Sequence, residues 1–456
     1  MFHIDDKKAA LLVSTLASFM TPFMASAVNI ALPRIGDEFS MNAIALGWVA
    51  TSYLLSAAIF LVPFGRLADI LGRKKIFLYG ITMYTLTSAL IAVSNSSAML
   101  ITLRVLQGAG GAMIFGTGIA ILTSVYPASE RGRVLGFNVA AVYLGLALGP
   151  LFGGALTQNL GWRSIFLVNV LIGVVVIFFT FWKLKAEWAE ARGERFDFLG
   201  SILYTISLTL IMYGFSELPE IQGTWTIAIG TLVMLSFLLW ESKILNPILH
   251  LNLFKRNPVF TFSNLAALIN YSATFAVTFL LSMYLQYIKG LSPQSAGMVL
   301  IAQPVMMTLF SPLAGRLSDK MEPRIVASLG MAILVIGLIL FILVGKDTTL
   351  MLVTVYLLLL GFGFALFSSP NTNAVMSSVE KKYYGVASAT LGTMRLTGQM
   401  LSMGIVMMIF AIKIGKVKIT PEYFPQFMIS MRSAFIVFSI LCIVGIFASL
   451  ARGRVR

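Results

Sequence analysis

The sequence predicts an all-α membrane protein of fourteen spans, built as two six-helix bundles with two extra transmembrane helices between them. Three observations carry this. Only 11% of the residues are charged, 58% are hydrophobic and the mean hydropathy is +0.90, whereas a soluble chain carries about 25% charged residues. The apolar residues come in runs of about twenty or more, the length a helix needs to cross the hydrocarbon core. A short charged hinge, GRLADILGRKK at 65–75, returns as GRLSDKMEPRI at 315–325. Backbone groups in lipid must be satisfied within their own segment, so the runs are helices rather than open strands.

Taken in order, the first six runs fall at 9–32, 44–64, 74–94, 98–124, 132–156 and 163–183. Two more follow at 197–216 and 222–241, with no matching hinge. The last six lie at 258–284, 294–314, 325–345, 348–372, 384–411 and 431–451. Each hinge joins the second and third helices of its block. The expected domains are therefore 1–183, a linker with two extra spans at 184–257, and 258–456. Parallel repeats of this kind pack around an axis along the membrane normal, with a path between them. The opening MFHIDDKKAA is too acidic for a signal peptide, so the first run is expected to remain as a helix.

Basic residues orient the chain. With both termini cytoplasmic, 23 of the 33 Lys and Arg residues fall on cytoplasmic segments, as the positive-inside rule requires. The +15 net charge is then an orientation signal and an attraction to anionic lipid, not a nucleic-acid footprint. The expected location is the cytoplasmic membrane of a microbe. Cys442 is the single cysteine, and His3 and His250 are far apart, so neither disulfides nor a metal site is expected. A phosphate loop ending in Gly-Lys-Ser/Thr is absent, which argues against direct ATP coupling. His, Asp and Glu do not cluster within spans, so neither an enzyme nor a bound cofactor is expected.

Several motifs together resemble the major facilitator superfamily, specifically its fourteen-helix branch of drug:proton antiporters (multidrug efflux transporters). In the hinge, Gly65, Asp69, Gly72, Arg73 and Lys74 match. LITLRVLQGAGGA (101–113) is similar to a fourth-helix motif through Arg104, Gln107, Gly108 and Gly110. GLALGPLFGG (145–154) is similar to the fifth-helix antiporter motif through Gly145, Gly149, Pro150, Gly153 and Gly154. NIALPRI (29–35), GWRSIFLVN (161–169), WESKILNPILHLNLF (240–254) and GTMRLTGQ (392–399) also resemble segments of this branch. The resemblance implies a secondary active exporter of amphipathic drugs or metabolites, a functional monomer powered by the proton gradient. Its partners would be a small amphipathic substrate, protons and membrane lipids.

The residues suggest how such a machine would work. Asp69 with Arg66, Arg73, Lys74 and Lys75 is expected to form a charge network at helix ends, and Gly315, Arg316 and Asp319 mark the repeated hinge in the second half. Such networks bias a rocking equilibrium by a few kcal/mol. Arg104 sits mid-span, where a charge costs about 2.5–3.5 kcal/mol on insertion scales, so it is expected to face a bundle interior or wet cavity. Gln107 lies on the same helical face, and Arg395 with Gln399 is the comparable pair in the second half. Gly145, Gly149 and Gly153 recur every four residues, which permits close helix approach, and Pro150 favours a bend. Asn29, Tyr53, Asn270, Gln303 and Asn371 are further candidates for the cavity wall.

One position departs from the resembled pattern. Members of the branch often carry a first-helix aspartate five residues before the asparagine matching Asn29; here Met24 stands there. None of the eighteen acidic residues lies in the middle of an expected span. A buried carboxyl is the usual proton carrier, so coupling would fall to a boundary group such as Asp69, Glu217, Glu220 or Glu241. With Arg104 as the main buried charge, neutral, zwitterionic or anionic substrates are favoured over dicationic drugs. The alternatives are a lipid or lipid-precursor carrier of the same fold and an uncoupled facilitator.

Overall fold

The computed structural model describes residues 4–244, 247–249, 251–380 and 384–453. His3 and His250 lie outside them. Among the described residues, fourteen helices are long and apolar enough to span a membrane. The first bundle holds α1 (Ile4–Glu38), α2 (Ala43–Leu71), α3 (Arg73–Ala92), α4 (Ser97–Val125), α5 (Ala128–Asn159) and α6 (Arg163–Lys183). The extra pair is α7 (Phe198–Glu217) and α8 (Ile221–Glu241), followed by the short α9 (Leu251–Arg256).

Two spans of the second bundle are interrupted. The first comprises α10 (Pro258–Thr274), α11 (Ala276–Met283) and a π-turn at Tyr284–Ile288. The second comprises α12 (Pro293–Leu300) and α13 (Ala302–Lys320). The bundle is completed by α14 (Pro323–Ile342), α15 (Leu350–Ser377), α16 (Tyr384–Lys413) and α17 (Phe424–Ala451). The helices run past the expected apolar limits at several ends, because a helix continues through the headgroup region for as long as its backbone bonds close.

The bundles repeat one another's packing. In the first, α1 lies against α5, α2 against α4, and α3 against α4 and α6. In the second, α10 lies against α16, α13 against α15, and α14 against α15 and α17. One crossing repeats in atomic detail. A methyl group at Gly80 would stand 3.0 Å from the Gly110 carbonyl oxygen, and one at Gly110 would stand 2.9 Å from that of Gly80. Gly330 and Gly363 reproduce this at 2.7 and 2.9 Å. Helices attract one another in lipid mainly through close contact, so glycine pairs at a crossing add van der Waals area that any side chain would remove.

The extra pair is asymmetric. Helix α7 lies against both α2 and α16, across the seam between the bundles, and Tyr204 on α7 donates to the Ala58 carbonyl at 3.4 Å. Helix α8 packs mainly on α7, and most of its apolar surface is turned outward, including Trp225, Leu232 and Leu239.

Candidate functional site

The bundles meet at the end opposite the chain termini. Pro33 has no N–H, so the Asn29 carbonyl four residues back is left without its helical donor. Ser282 of the second bundle donates to that carbonyl at 2.7 Å, and Gln286 donates to the neighbouring Ile30 carbonyl at 2.9 Å. Ala43 N–H donates to Val417 O at 3.0 Å, and Gln294 N–H donates to Gln158 Oε1 at 3.3 Å. Pro33 thus converts an intrahelical bond of α1 into a bond between the bundles.

The antiporter-like helix splits between two partners. Gly145, Gly149 and Gly153 face α1 inside their own bundle: methyl groups there would meet the Phe19 carbonyl at 2.5 Å, Ser26 Cβ at 2.6 Å and Ala27 at 2.7 Å. The Leu146 carbonyl that Pro150 leaves open accepts from Ser26 Oγ at 3.3 Å. Gly154 faces the other bundle, where a methyl would meet the Pro293 carbonyl at 2.5 Å, and the Pro150 carbonyl lies against Gly297 of α12. Three of the five motif residues therefore hold α5 to α1, and two make the seam.

Toward the terminal end the contacts between the bundles thin to apolar ones, such as Leu61 of α2 near Gly392 of α16. Tyr143 Oη on α5 and Ser368 Oγ on α15 come within 3.4 Å at mid-depth. Among the described residues, no hydrogen bond or ion pair joins the bundles on the terminal side of that contact. Gly65, Gly118 and Gly136 there face open space.

Arg104 is 1% exposed. Its Nε donates to the Val49 carbonyl at 3.1 Å and its Nη1 to Gln107 Oε1 at 2.6 Å, and the guanidinium lies 4.4 Å from the centre of the Tyr53 ring. Gln107 passes the network on to Ser88 at 2.7 Å. No carboxylate takes part; a carbonyl, an amide oxygen and a π-face together compensate the charge. Asn29, Tyr53 and Arg104 line a cavity of about 10 Å³ with Phe275 of the second bundle, room for about one water. Met24 is fully buried on α1.

The second bundle holds the remaining expected residues in separate places. Arg395 on α16 is half-buried; its Nη2 donates to Thr372 Oγ1 at 2.6 Å, and its guanidinium lies 5.7 Å from the Tyr271 ring centre. Gln399 is half-buried one turn further along. Gln303 is buried on α13, with its carbonyl against Gly361. Asn270 is fully buried, and neither amide atom has a partner. Asn371 is not in the cavity wall: at 1% exposure it donates to Ser263 O at 3.1 Å and accepts from Arg452 Nη1 at 3.0 Å. Arg452, which its sequence position marked only as a cytoplasmic charge, is wholly buried and also bonds Ser263 and Ser449.

Both hinges are built, with different partners. Arg73 donates to Asp69 at 2.9 Å, Ser124 at 2.6 Å and Glu190 at 2.8 Å. Glu187 accepts from the Lys74 and Lys75 N–H groups at 2.9 and 3.2 Å, a carboxylate at the positive start of α3. Arg66 pairs with Glu194. Gly72 sits at φ +123° with the Glu187 carboxyl against it, so a Cβ fits neither the backbone nor the space. In the second copy Arg316 is exposed, and Asn373 donates to Ser318 at 3.0 Å and to Asp319 at 3.4 Å. Sequence spacing did not reveal Glu187, Glu190 and Glu194 as hinge partners, because an irregular linker brings them there.

Of the boundary carboxyls, Asp69 is paired with Arg73, and Glu217 and Glu220 with Lys416. Glu217 raises the Lys416 pKa through that hydrogen bond. Among the described residues Glu241 has no basic partner: at 3% exposure its Oε2 accepts from Leu249 N–H at 3.0 Å and its Oε1 has none. It shares the space over Gly200 with Asp197, which caps α7 and accepts from Trp240.

Two repeated bundles, sealed at one end and only thinly joined at the other around polar mid-depth residues, define a membrane carrier. The chain belongs to the Major Facilitator Superfamily, whose model matches residues 14–403 and 264–455. It is a multi-pass transporter of the cell membrane and not an enzyme. It is 32% identical over 395 residues to the riboflavin transporter RibZ of Clostridioides difficile, covering 86% of each chain. It is 31% identical over 404 residues to the multidrug resistance protein Stp of Mycobacterium tuberculosis, covering 87% of this chain and 74% of that one. It also resembles the tetracenomycin C resistance and export protein of Streptomyces glaucescens, at 26% identity over 415 residues, covering 89% and 76%. Among solved structures, a bacterial homologue of the human lysosomal transporter Spinster, inward-facing and unoccupied, matches with TM-score 0.68 at 16% identity over 99% and 98% of the two chains.

Proposed function

We propose that the protein exports amphipathic small molecules by alternating access, in exchange for protons, as a monomer with both termini in the cytoplasm. The observation that carries this reading is the one-sided seal. In the proposed orientation the α5–α12 contact closes the outer side, and the thinly joined end faces the cytoplasm, where an exporter loads. The seal is made of glycine and proline contacts, a few neutral hydrogen bonds, each worth about 0.6–2 kcal/mol in a membrane, and one exposed ion pair, Lys418–Asp37 at 3.8 Å, worth about 0–1 kcal/mol. That sum is small enough to break and re-form in a transport cycle. The relatives named for multidrug resistance and for antibiotic export agree with an outward direction.

For coupling, Glu241 is the best-supported proton carrier among the boundary carboxyls considered, because it is buried beside Asp197 with no cation among the described residues. A second reading is a dedicated carrier for one heteroaromatic metabolite. The relative named as a riboflavin transporter and the lack of a mid-span carboxylate favour it. The test uses purified protein in proteoliposomes containing a pH-sensitive dye, with riboflavin and a panel of cationic, neutral and anionic amphiphiles. Substrate-driven proton flux for several members supports antiport of diverse molecules. Movement of riboflavin alone supports the second reading, and movement without proton flux defeats the coupling.

A further inference from the structure

Arg104 and Arg395 both lie within spans, one in each bundle, and they are not equivalent. Arg104 spends its hydrogen bonds on its own bundle. Arg395 lies eleven residues into α16, about 16 Å along the helix at 1.5 Å per residue. It is half-buried, and its Nη2 is held by Thr372. Its Nε is shielded from solvent and has no acceptor. Among the described residues no carboxylate pairs with it.

This stretch of α16 faces the seam and not the lipid. A methyl group at Gly392, one turn before Arg395, would stand 3.7 Å from Leu61 of the first bundle. Thr372 belongs to the same helix as Ser368, which meets Tyr143 of the first bundle. A guanidinium here presents a planar fork with spare donors to the space between the bundles, beside the Tyr271 ring. An unpaired cation at this depth is costly, and a carboxylate is the anion that best matches the fork.

We propose that Arg395 is the docking point for a carboxylate or comparable monoanion carried by the transported amphiphile, whose apolar part lies along Tyr271. This rests on the exporter reading for its cargo, but the site itself is tested by binding alone. An anion held on Arg395 and reaching toward Tyr143 would touch both bundles, so its arrival would alter the contact between Tyr143 and Ser368.

The experiment measures equilibrium binding of pyrenebutyrate, its methyl ester and a pyrenebutyl-trimethylammonium ion to the full-length protein in neutral detergent. Transport of the same probes is measured in proteoliposomes. Wild-type protein is expected to bind the carboxylate at least tenfold more tightly than the ester or the cation. Arg395→Gln is expected to remove that preference while leaving ester binding unchanged, and Arg395→Lys to restore it in part. Wild-type protein that shows no preference for the carboxylate overturns the site, whatever the variants do. An equal loss of ester and carboxylate binding in Arg395→Gln also overturns it, since that marks a packing role. Displacement of pyrenebutyrate by short-chain phosphatidylglycerol at equal concentration would assign the fork to a lipid headgroup and overturn the cargo assignment. A carboxylate preference without movement of any probe keeps the site and defeats the exporter reading; movement without the preference does the reverse.

Discussion

Gly297 on α12 lies so close to the Pro150 carbonyl on α5 that a methyl group on its Cα would stand 2.1 Å from that oxygen. The obstacle is backbone, which cannot rotate out of the way as a side chain can. The sealed arrangement therefore depends on the absence of one carbon atom at this crossing.

Gly297→Ala is expected to wedge the seal open. Overpacking costs about 1–3 kcal/mol, enough to shift a two-state equilibrium by about 5- to 150-fold. Spin labels at Gln158 and Gln294, whose groups meet at 3.3 Å across the seam, should show a longer and broader distance distribution. An unchanged distribution would show that the contact does not hold the state.

Arg104→Lys is expected to fail as a replacement even though it keeps the charge. One ammonium cannot reproduce the fork that reaches Val49 O and Gln107 Oε1 together. Loss of a buried acceptor's partner costs about 1–3 kcal/mol, so the melting temperature in detergent should fall and transport of all substrates should drop alike. A selective change for one substrate at full stability would mean that Arg104 touches cargo.

Asn371→Ala and Arg452→Gln are expected to destabilise the second bundle rather than alter selectivity. Their shared hydrogen bond joins α15 to the end of α17, and bonds to charged groups are worth about 1.5–3 kcal/mol. Because the two residues share one network, the double variant should lose less than the sum of the singles. Additive losses in thermal unfolding would contradict a common network.

Glu241→Gln keeps an acceptor for Leu249 N–H and removes the ionisable group. Substrate binding should persist while substrate-driven proton flux disappears, and stability at neutral pH should not fall, since a like-charge contact with Asp197 is relieved. Retained proton flux would rule Glu241 out as the carrier.

Much of the architecture was legible in the chain. Long apolar runs fix helices with little ambiguity, and the hinge at Gly65 and Gly315 exposed the repeat. Partners brought together by tertiary packing were not legible. Arg452 reads as one more basic residue after a span, and only the fold shows that Ser263 and Asn371 surround it. Arg104 and Arg395 look alike as mid-span arginines, yet neighbouring helices satisfy one and leave the other with a free donor. The glycine stripe at 145–153 carries no information about its partner, and only the fold shows that these three glycines face α1. The reciprocal pairs Gly80–Gly110 and Gly330–Gly363 also went unnoticed, since a single glycine in a glycine-rich chain carries no pairing information.

Helix α7 gives the molecule a left and a right that its repeated bundles alone would lack. The α2–α16 seam lies under this helix, whereas the equivalent seam between α5 and α12–α13 has no such cover and is flanked by exposed Leu144, Phe152, Leu309 and Leu313. An oily molecule already dissolved in the bilayer therefore meets a shuttered flank on one side and a bare one on the other. Sideways exchange between membrane and interior, if the carrier uses it, is expected at that bare flank.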